Sequence, residues 1–239
     1  MKQTNAYIFM YASVMVIVVA AILSFTSEAL KPIQQENVKI EKIQNILKSV
    51  GIESTKEDAQ AMFDKYIPNE NRLVIGVDGQ LREGLVAFDL NLKKELAKPE
   101  AERNLPLFIA NINGAKKPII QLLGKGLWGP IWGYIALDND YNTIFGATFD
   151  HKGETPGLGA EISKKSFQEP FIGKTIFEGD KFVSITVHKG GHGAAKNAGD
   201  LTHGVDAISG GTITSKSLQK MVKTCVGNYV NYINNHKKQ

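Results

Sequence analysis

Positions 3–27 carry no charged side chain, 25 in a row, and their centre, 8–23, is almost wholly apolar. A helix of about 20 such residues rises ~30 Å, the thickness of a bilayer's hydrocarbon core. The stretch therefore predicts one membrane-spanning helix, with Tyr7 and Tyr11 placed for a headgroup layer. A cleaved signal peptide is the competing reading, because Ser27-Glu28-Ala29 offers a small-x-small pattern. Its apolar core, however, would run only about 7–15 residues. Length favours a retained anchor over 1–27, followed by a soluble domain over 28–239. Only Lys2 precedes the span, so the positive-inside bias is weak; a long C-terminal domain crosses regardless of charge.

Beyond residue 27 the chain holds 27 basic and 24 acidic side chains, a net charge of +3, with no run of five like charges. That excludes the basic stripe a phosphate backbone requires, and no nucleic-acid partner is expected. Cys225 is the sole cysteine, so an internal disulfide, an iron–sulfur cluster or a thiolate-rich zinc site within the chain is excluded.

Apolar residues at helical spacing over 38–50, stopped by Gly51, predict an amphipathic helix. A second begins at Thr55 and Asp58, a capping-box-like pair, and runs to Pro68. Strands are expected at 73–77, 85–90, 118–123, 132–137, 143–149 and 181–188, with a turn at Asp78-Gly79. A helix near 160–171 and a Gly- and Ala-rich stretch over 190–211 precede a long C-terminal helix. Its apolar face is Leu218, Met221, Val222, Cys225, Val226, Tyr229, Val230 and Ile233. Strands gathered mid-chain with helices at both ends indicate an α+β fold with a mostly antiparallel sheet flanked by helices.

Several segments invite a chemical reading. Gly124-x-Gly126-x-x-Gly129 has the letters of a dinucleotide fingerprint, but Pro130 and the β-rich 132–137 follow where a helix should open. Trp128 and Trp132 suit either a flat ligand or a hairpin core. His188 and His192 are four apart, yet Lys189-Gly190-Gly191 between them opposes the helix that would align them on a metal, and no metal site is expected. There is no G-x-S-x-G, P-loop or H-E-x-x-H. The loop His151-Lys152-Gly153-Glu154-Thr155-Pro156-Gly157-Leu158-Gly159 can bring bare backbone amides to a ligand, or simply be a long turn. Asp206-Ala207-Ile208-Ser209-Gly210-Gly211-Thr212-Ile213-Thr214-Ser215 stands immediately before the long C-terminal helix, where open amides and the helix dipole suit an anion beside Thr212, with Lys216 as an added charge. The alternative there is that Ser209 or Thr212 only caps the helix.

Three of these motifs together, Gly-Lys-Gly-Leu-Trp at 124–128, Gly-Glu-Thr-Pro-Gly-Leu-Gly at 153–159 and Asp-x-x-Ser-Gly-Gly-Thr at 206–212, closely resemble the NqrC family, a component of the bacterial sodium-translocating NADH:quinone reductases. The resemblance spans nearly the whole chain, including the anchor and the C-terminal helix. It implies an electron carrier holding one FMN per chain, linked covalently through its phosphate to Thr212 by a separate flavin transferase. The family usually has alanine where Gly211 stands. The cofactor-binding set it implies is Thr212 with Asp206, Ser209, Gly210, Gly211 and Lys216, facing Trp128, Glu154, Thr155, Gly157, Leu158 and Gly159 across the site. It further implies a single-pass protein of the bacterial inner membrane with its domain on the periplasmic or outer side, working beside other subunits of the complex and inactive alone. The RnfG family of the related ion-translocating ferredoxin:NAD oxidoreductases shares this pattern, and a non-redox membrane-anchored binding module would need only the cap and the loop.

Overall fold

The computed structural model describes residues 4–237; Lys2 and Gln3, at the N-terminal edge of the expected span, lie outside them. Helix α1 (Asn5–Lys48) takes in the apolar segment and continues through Pro32 into the expected amphipathic helix, so the two are one element. Its apolar side chains up to Val38, such as Phe9, Val16 and Phe25, are exposed. Ile43, Ile46 and Leu47 are buried. In packing, the chain divides between Lys42 and Ile43, whereas the helix passes through residue 27 without a break. Gly51 terminates α1 as anticipated, with its φ at 76° and its amide bonded to the Lys48 carbonyl.

Thr55 and Asp58 form a reciprocal box, each side chain accepting the other's backbone N–H at 2.7 and 3.3 Å, and α2 (Ala59–Tyr66) follows. The centre of the domain is an antiparallel meander of β1 (Arg72–Gly76), β2 (Asn104–Ile112), β3 (Ala115–Lys125), β4 (Pro130–Leu137) and β5 (Ile144–His151), in that spatial order. The expected strand at 85–90 is instead a 3-10 turn, Ala87–Asp89, with Leu85 and Val86 exposed. Helix α3 (Leu92–Leu96) leads to β2, which sequence periodicity did not reveal. The sheet is covered on both faces there, so positions 105–110 are buried without alternation. The Asn113-Gly114 pair, with φ of 50° and 80°, was the available signal: it makes the β2–β3 hairpin turn.

Between β5 and the C-terminus the structure is short and irregular. Where one helix was expected near 160–171, a 3-10 turn (Gly159–Ser163), α4 (Lys165–Gln168) and another turn (Glu169–Phe171) succeed one another: Lys164, extended with ψ at 145°, separates the first two, and Pro170 cannot continue the ladder of α4. The expected strand at 181–188 is broken by Ser184, whose φ is 64°, into β7 (Lys181–Phe182), which pairs with β6 (Phe177–Glu178), and β8 (Thr186–His188). Helix α5 (Ala194–Asn197) lies between β8 and its parallel partner β9 (Gly204–Asp206).

The C-terminal helix is α6 (Thr212–Gly227), with α7 (Val230–Lys237) following a break at Asn228 and Tyr229. Asn228 accepts from Arg103 and Tyr229 donates to the Pro106 carbonyl, which ties the break to the start of β2. The apolar stripe read from sequence is buried, with only Val230 part-exposed. Leu218, Met221, Val222, Cys225 and Val226 pack with Leu107, Ile120 and Leu122, each worth about 1.5–3 kcal/mol of buried apolar surface. A Cβ on Gly124 would stand 2.8 Å from that of Met221, so Gly124 is there for close helix–sheet packing. On the opposite face Phe63 of α2 meets Phe108 edge-on, and Thr148 bonds the Asn45 carbonyl of α1. Burial beside Leu123 pushes the Cys225 thiol up to about 11, against a backbone hydrogen bond that lowers it, so the lone cysteine is an inert core residue.

Candidate functional site

Three segments far apart in sequence converge at one end of the sheet. Residues 126–129 are the tight turn between β3 and β4, closed by the Gly126 amide on the Gly129 carbonyl at 2.8 Å. Gly124-x-Gly126-x-x-Gly129 thus spans a hairpin, and no helix opens on it. The loop after β5 supplies Glu154 to Gly159, folded back by the amides of Leu158 and Ala160 on the Thr155 carbonyl. The third segment is the start of α6. Its N-cap residue is Gly211, and no side chain caps it. Neither Ser209 nor Thr212 performs the capping role, and the first-turn amides have no partner within the helix.

These segments enclose a cleft of about 100 Å³, with Thr212 in its lining and Leu158 and Gly159 opposite. Among the described residues nothing engages the Thr212 hydroxyl in a hydrogen bond. Its neighbours differ. The Thr214 hydroxyl donates to Glu154 Oε2 at 2.5 Å, and the Ser215 hydroxyl donates to the Gly211 carbonyl and accepts from the Ile208 amide. Four apolar side chains stand exposed around the opening: Leu127 at 47%, Trp128 at 70%, Leu158 at 41% and Ile213 at 59%. Large exposed apolar groups around a polar floor mark a place for a flat, partly apolar ligand.

The structure separates the sequence-expected residues into two groups. Trp128, Glu154, Thr155, Leu158, Gly159, Gly210, Gly211 and Thr212 line the cleft. Gly157 stands just outside it, giving its amide to Glu161 at 3.1 Å. Ser209 is exposed and lies towards Gly191. Asp206 does not face Thr212: it accepts the amides of Gly193 and Ala195 at 2.6 and 2.8 Å, capping α5 from across the loop. Burial alone would raise its pKa, but those two amides, aided by His192 and His188, hold it below the ordinary carboxylate value. Lys216 also points elsewhere, donating to the Val187 carbonyl at 2.5 Å and to Gln219 at 3.0 Å, where it satisfies a strand end. His188 ends β8 and pairs with Asp200 at 2.8 Å, while His192 is on the exposed loop. Among the described residues no three metal-ligating side chains gather.

Leu127, Ile213 and Thr214 lie within the segments singled out in sequence, but only the structure gives them a place in the lining. Thr214 and Glu154 are 60 positions apart, so no local spacing pairs them.

FMN is a fair test of this cleft. The uncapped helix start offers open amides where a phosphate would sit, the one uncommitted hydroxyl of the three at 212, 214 and 215 is that of Thr212, and the apolar rim suits a flat ring. A side chain at 211 would put its Cβ 2.9 Å from Ile208, so the backbone approaches its neighbours closely there. The residues fit the group.

The FMN-binding domain family matches residues 126–227, from the β3–β4 turn to the end of α6. The NqrC protein of the Na(+)-translocating NADH-quinone reductase of Vibrio vulnificus is 30% identical over 219 residues, covering 85% of this chain and 83% of the relative. That of Haemophilus ducreyi is 29% identical over 227 residues, covering 88% and 85%. Among solved structures, NqrC of Parabacteroides distasonis superposes with a TM-score of 0.75 at 38% identity, covering 85% of this chain and 96% of that one. NqrC of Shewanella oneidensis gives 0.70 at 26% identity, covering 85% and 100%.

Proposed function

Because the chain belongs to the NqrC family of the Na(+)-translocating NADH-quinone reductases, we propose that its FMN is esterified through the phosphate to Thr212 and held in the cleft at the start of α6. The protein is an FMN-binding electron carrier of a membrane oxidoreductase that couples NADH oxidation and quinone reduction to sodium export. FMN supplies the redox chemistry, accepting and passing on electrons. The chain's own residues bind and orient it. The first-turn amides of α6 face the anion and stabilise it by about 1 kcal/mol in such settings. Leu127, Trp128, Leu158 and Ile213 give the ring apolar contact and exclude water. An ester makes retention independent of affinity, which suits a compartment where free flavin is scarce.

The single observation that carries the attachment residue is the state of the hydroxyls: those of Thr214 and Ser215 are buried and committed, whereas that of Thr212 opens on the cleft. The remaining parts of the reading are its consequences. Residues 1–27 anchor the chain by a single pass, and 28–239 lie on the periplasmic or outer side. A flavin transferase matures the protein, and other subunits of the complex give and take its electrons, so the chain alone oxidises no NADH. The ferredoxin-linked reading and the non-redox module lose ground, since the relatives above carry the quinone-reductase name and the matched domain is an FMN-binding one.

Denaturing electrophoresis of the protein coexpressed with its flavin transferase tests the attachment. In-gel flavin fluorescence is expected for the wild type and its complete loss for Thr212→Ala. Fluorescence retained by that variant overturns the assignment.

A further inference from the structure

Glu154 is only 4% exposed. Its Oε1 accepts the Trp128 amide at 2.9 Å and its Oε2 the Thr214 hydroxyl at 2.5 Å. Its own amide donates to His151 Nδ1 at 3.1 Å. Among the described residues no lysine, arginine or histidine forms an ion pair with it. Two glycines enclose the carboxylate: a Cβ on Gly126 would stand 2.5 Å from Oε1, and one on Gly159 2.5 Å from Oε2. One side chain thus ties the β3–β4 turn, the 152–158 loop and the first turn of α6 together.

A buried carboxylate without a cation costs stability that a neutral hydrogen-bonding residue would not cost. Its place on the wall of the Thr212 cleft suggests what offsets that cost. We propose that Glu154 is a positioning residue for the flavin: it commits the Thr214 hydroxyl, leaving Thr212 as the open one, and sets an acceptor-only group beside the ring that opposes the gain of electrons. This rests on the attachment at Thr212 argued above. Two donors share the carboxylate's charge, so its field at the cleft depends on both. Replacing the carboxylate by an amide removes the opposing field. Removing the Thr214 donor leaves the charge in place with one fewer partner and strengthens that field.

The test uses full-length protein made in membranes with its flavin transferase, as wild type, Glu154→Gln, Thr214→Val and Thr212→Ala. Intact mass and peptide mapping give the extent and position of flavinylation, and spectroelectrochemical titration gives the midpoint potential of the bound flavin. Reduced loading at Thr212 is expected in both Glu154→Gln and Thr214→Val. Among loaded molecules the potential should shift positive in Glu154→Gln and negative in Thr214→Val. Shifts of the same sign, or none, overturn the proposal, because a purely structural tie has no reason to act in opposite directions. If Glu154→Gln does not load, the negative shift in Thr214→Val decides. If neither folds, by circular dichroism, the residue is structural and the proposal fails. Flavin retained by Thr212→Ala instead sinks the attachment reading, whatever the potentials do.

Discussion

Two glycine-rich regions that look alike in sequence serve opposite ends. In the cleft, Gly126, Gly159 and Gly211 have ordinary backbone φ, and what rules out a side chain is the lack of space: a Cβ at any of the three would fall within 3 Å of a packed neighbour, while Gly210 combines a φ of 75° with a Cβ 2.6 Å from Leu158. In the 190–199 loop, Gly193 and Gly199 have φ of 83° and 70° and open space around the missing Cβ. Gly126 and Gly159 let their segments close on Glu154, and Gly211 lets the start of α6 close on Ile208 and Leu158; the second set only lets the chain turn between β8 and β9. Glycine content therefore locates both regions, but only the surrounding atoms tell a binding cradle from a simple connection.

Substitutions that add one methyl group sharpen the contrast. Gly159→Ala should have the largest effect. Its Cβ would stand 2.5 Å from both Glu154 Oε2 and Thr214 Oγ1, two buried atoms pinned to each other. Overpacking and a broken buried hydrogen bond together point to a loss of about 2–4 kcal/mol in urea unfolding, with flavin incorporation falling alongside. Gly211→Ala comes next. Ile208 must yield to a Cβ 2.9 Å away and the Leu158 backbone, at 3.1 Å, must give slightly, at about 1–2 kcal/mol, but Glu154 and Thr214 are not among the atoms it meets and in-gel flavin fluorescence should persist. Gly199→Ala meets no neighbour and carries only the left-handed backbone penalty, about 1 kcal/mol, with flavin loading and midpoint potential unchanged. If it lowers flavin loading as much as Gly159→Ala does, the contrast between the two regions breaks.

The smallest effect is that of acid on the loop. The folded-state pKa of Asp206 lies below its ordinary value of 3.8, since burial, which raises it, is outweighed by the Ala195 and Gly193 amides together with His192 and His188. Its cap is therefore fully effective above that value and is lost as pH falls through the lower, folded one. The amide chemical shifts of Gly193 and Ala195 should move below about pH 4 in the wild type and stay flat in Asp206→Asn. A pH-independent wild type would contradict the capping role.

The legible parts of this fold are those with a local repeat. The apolar run in α1, the stripe of Leu218, Met221, Val222, Cys225 and Val226, and the strands β1, β3, β4 and β5 were readable because burial of one face, or of a whole span, imposes a period on neighbouring residues. β2, buried in succession over 105–110, was marked in sequence only by the Asn113-Gly114 turn that follows it. Ser184 and Pro170 broke expected elements through backbone constraints that an apolar pattern does not record.

The candidate site divides in the same way. Sequence by itself determined the membrane-length helix, the α+β class, and the three motifs whose family resemblance points to Thr212, since each lies within a few neighbouring residues. Only the tertiary structure decided that Asp206 and Lys216 turn away to satisfy a helix start and a strand end, and that Glu154 meets Thr214 across 60 positions. The physical reason is range. Propensity and periodicity act over a turn or two of chain, whereas the direction of a polar side chain is set by whichever unpaired donor or acceptor the packed fold brings within about 3 Å of it.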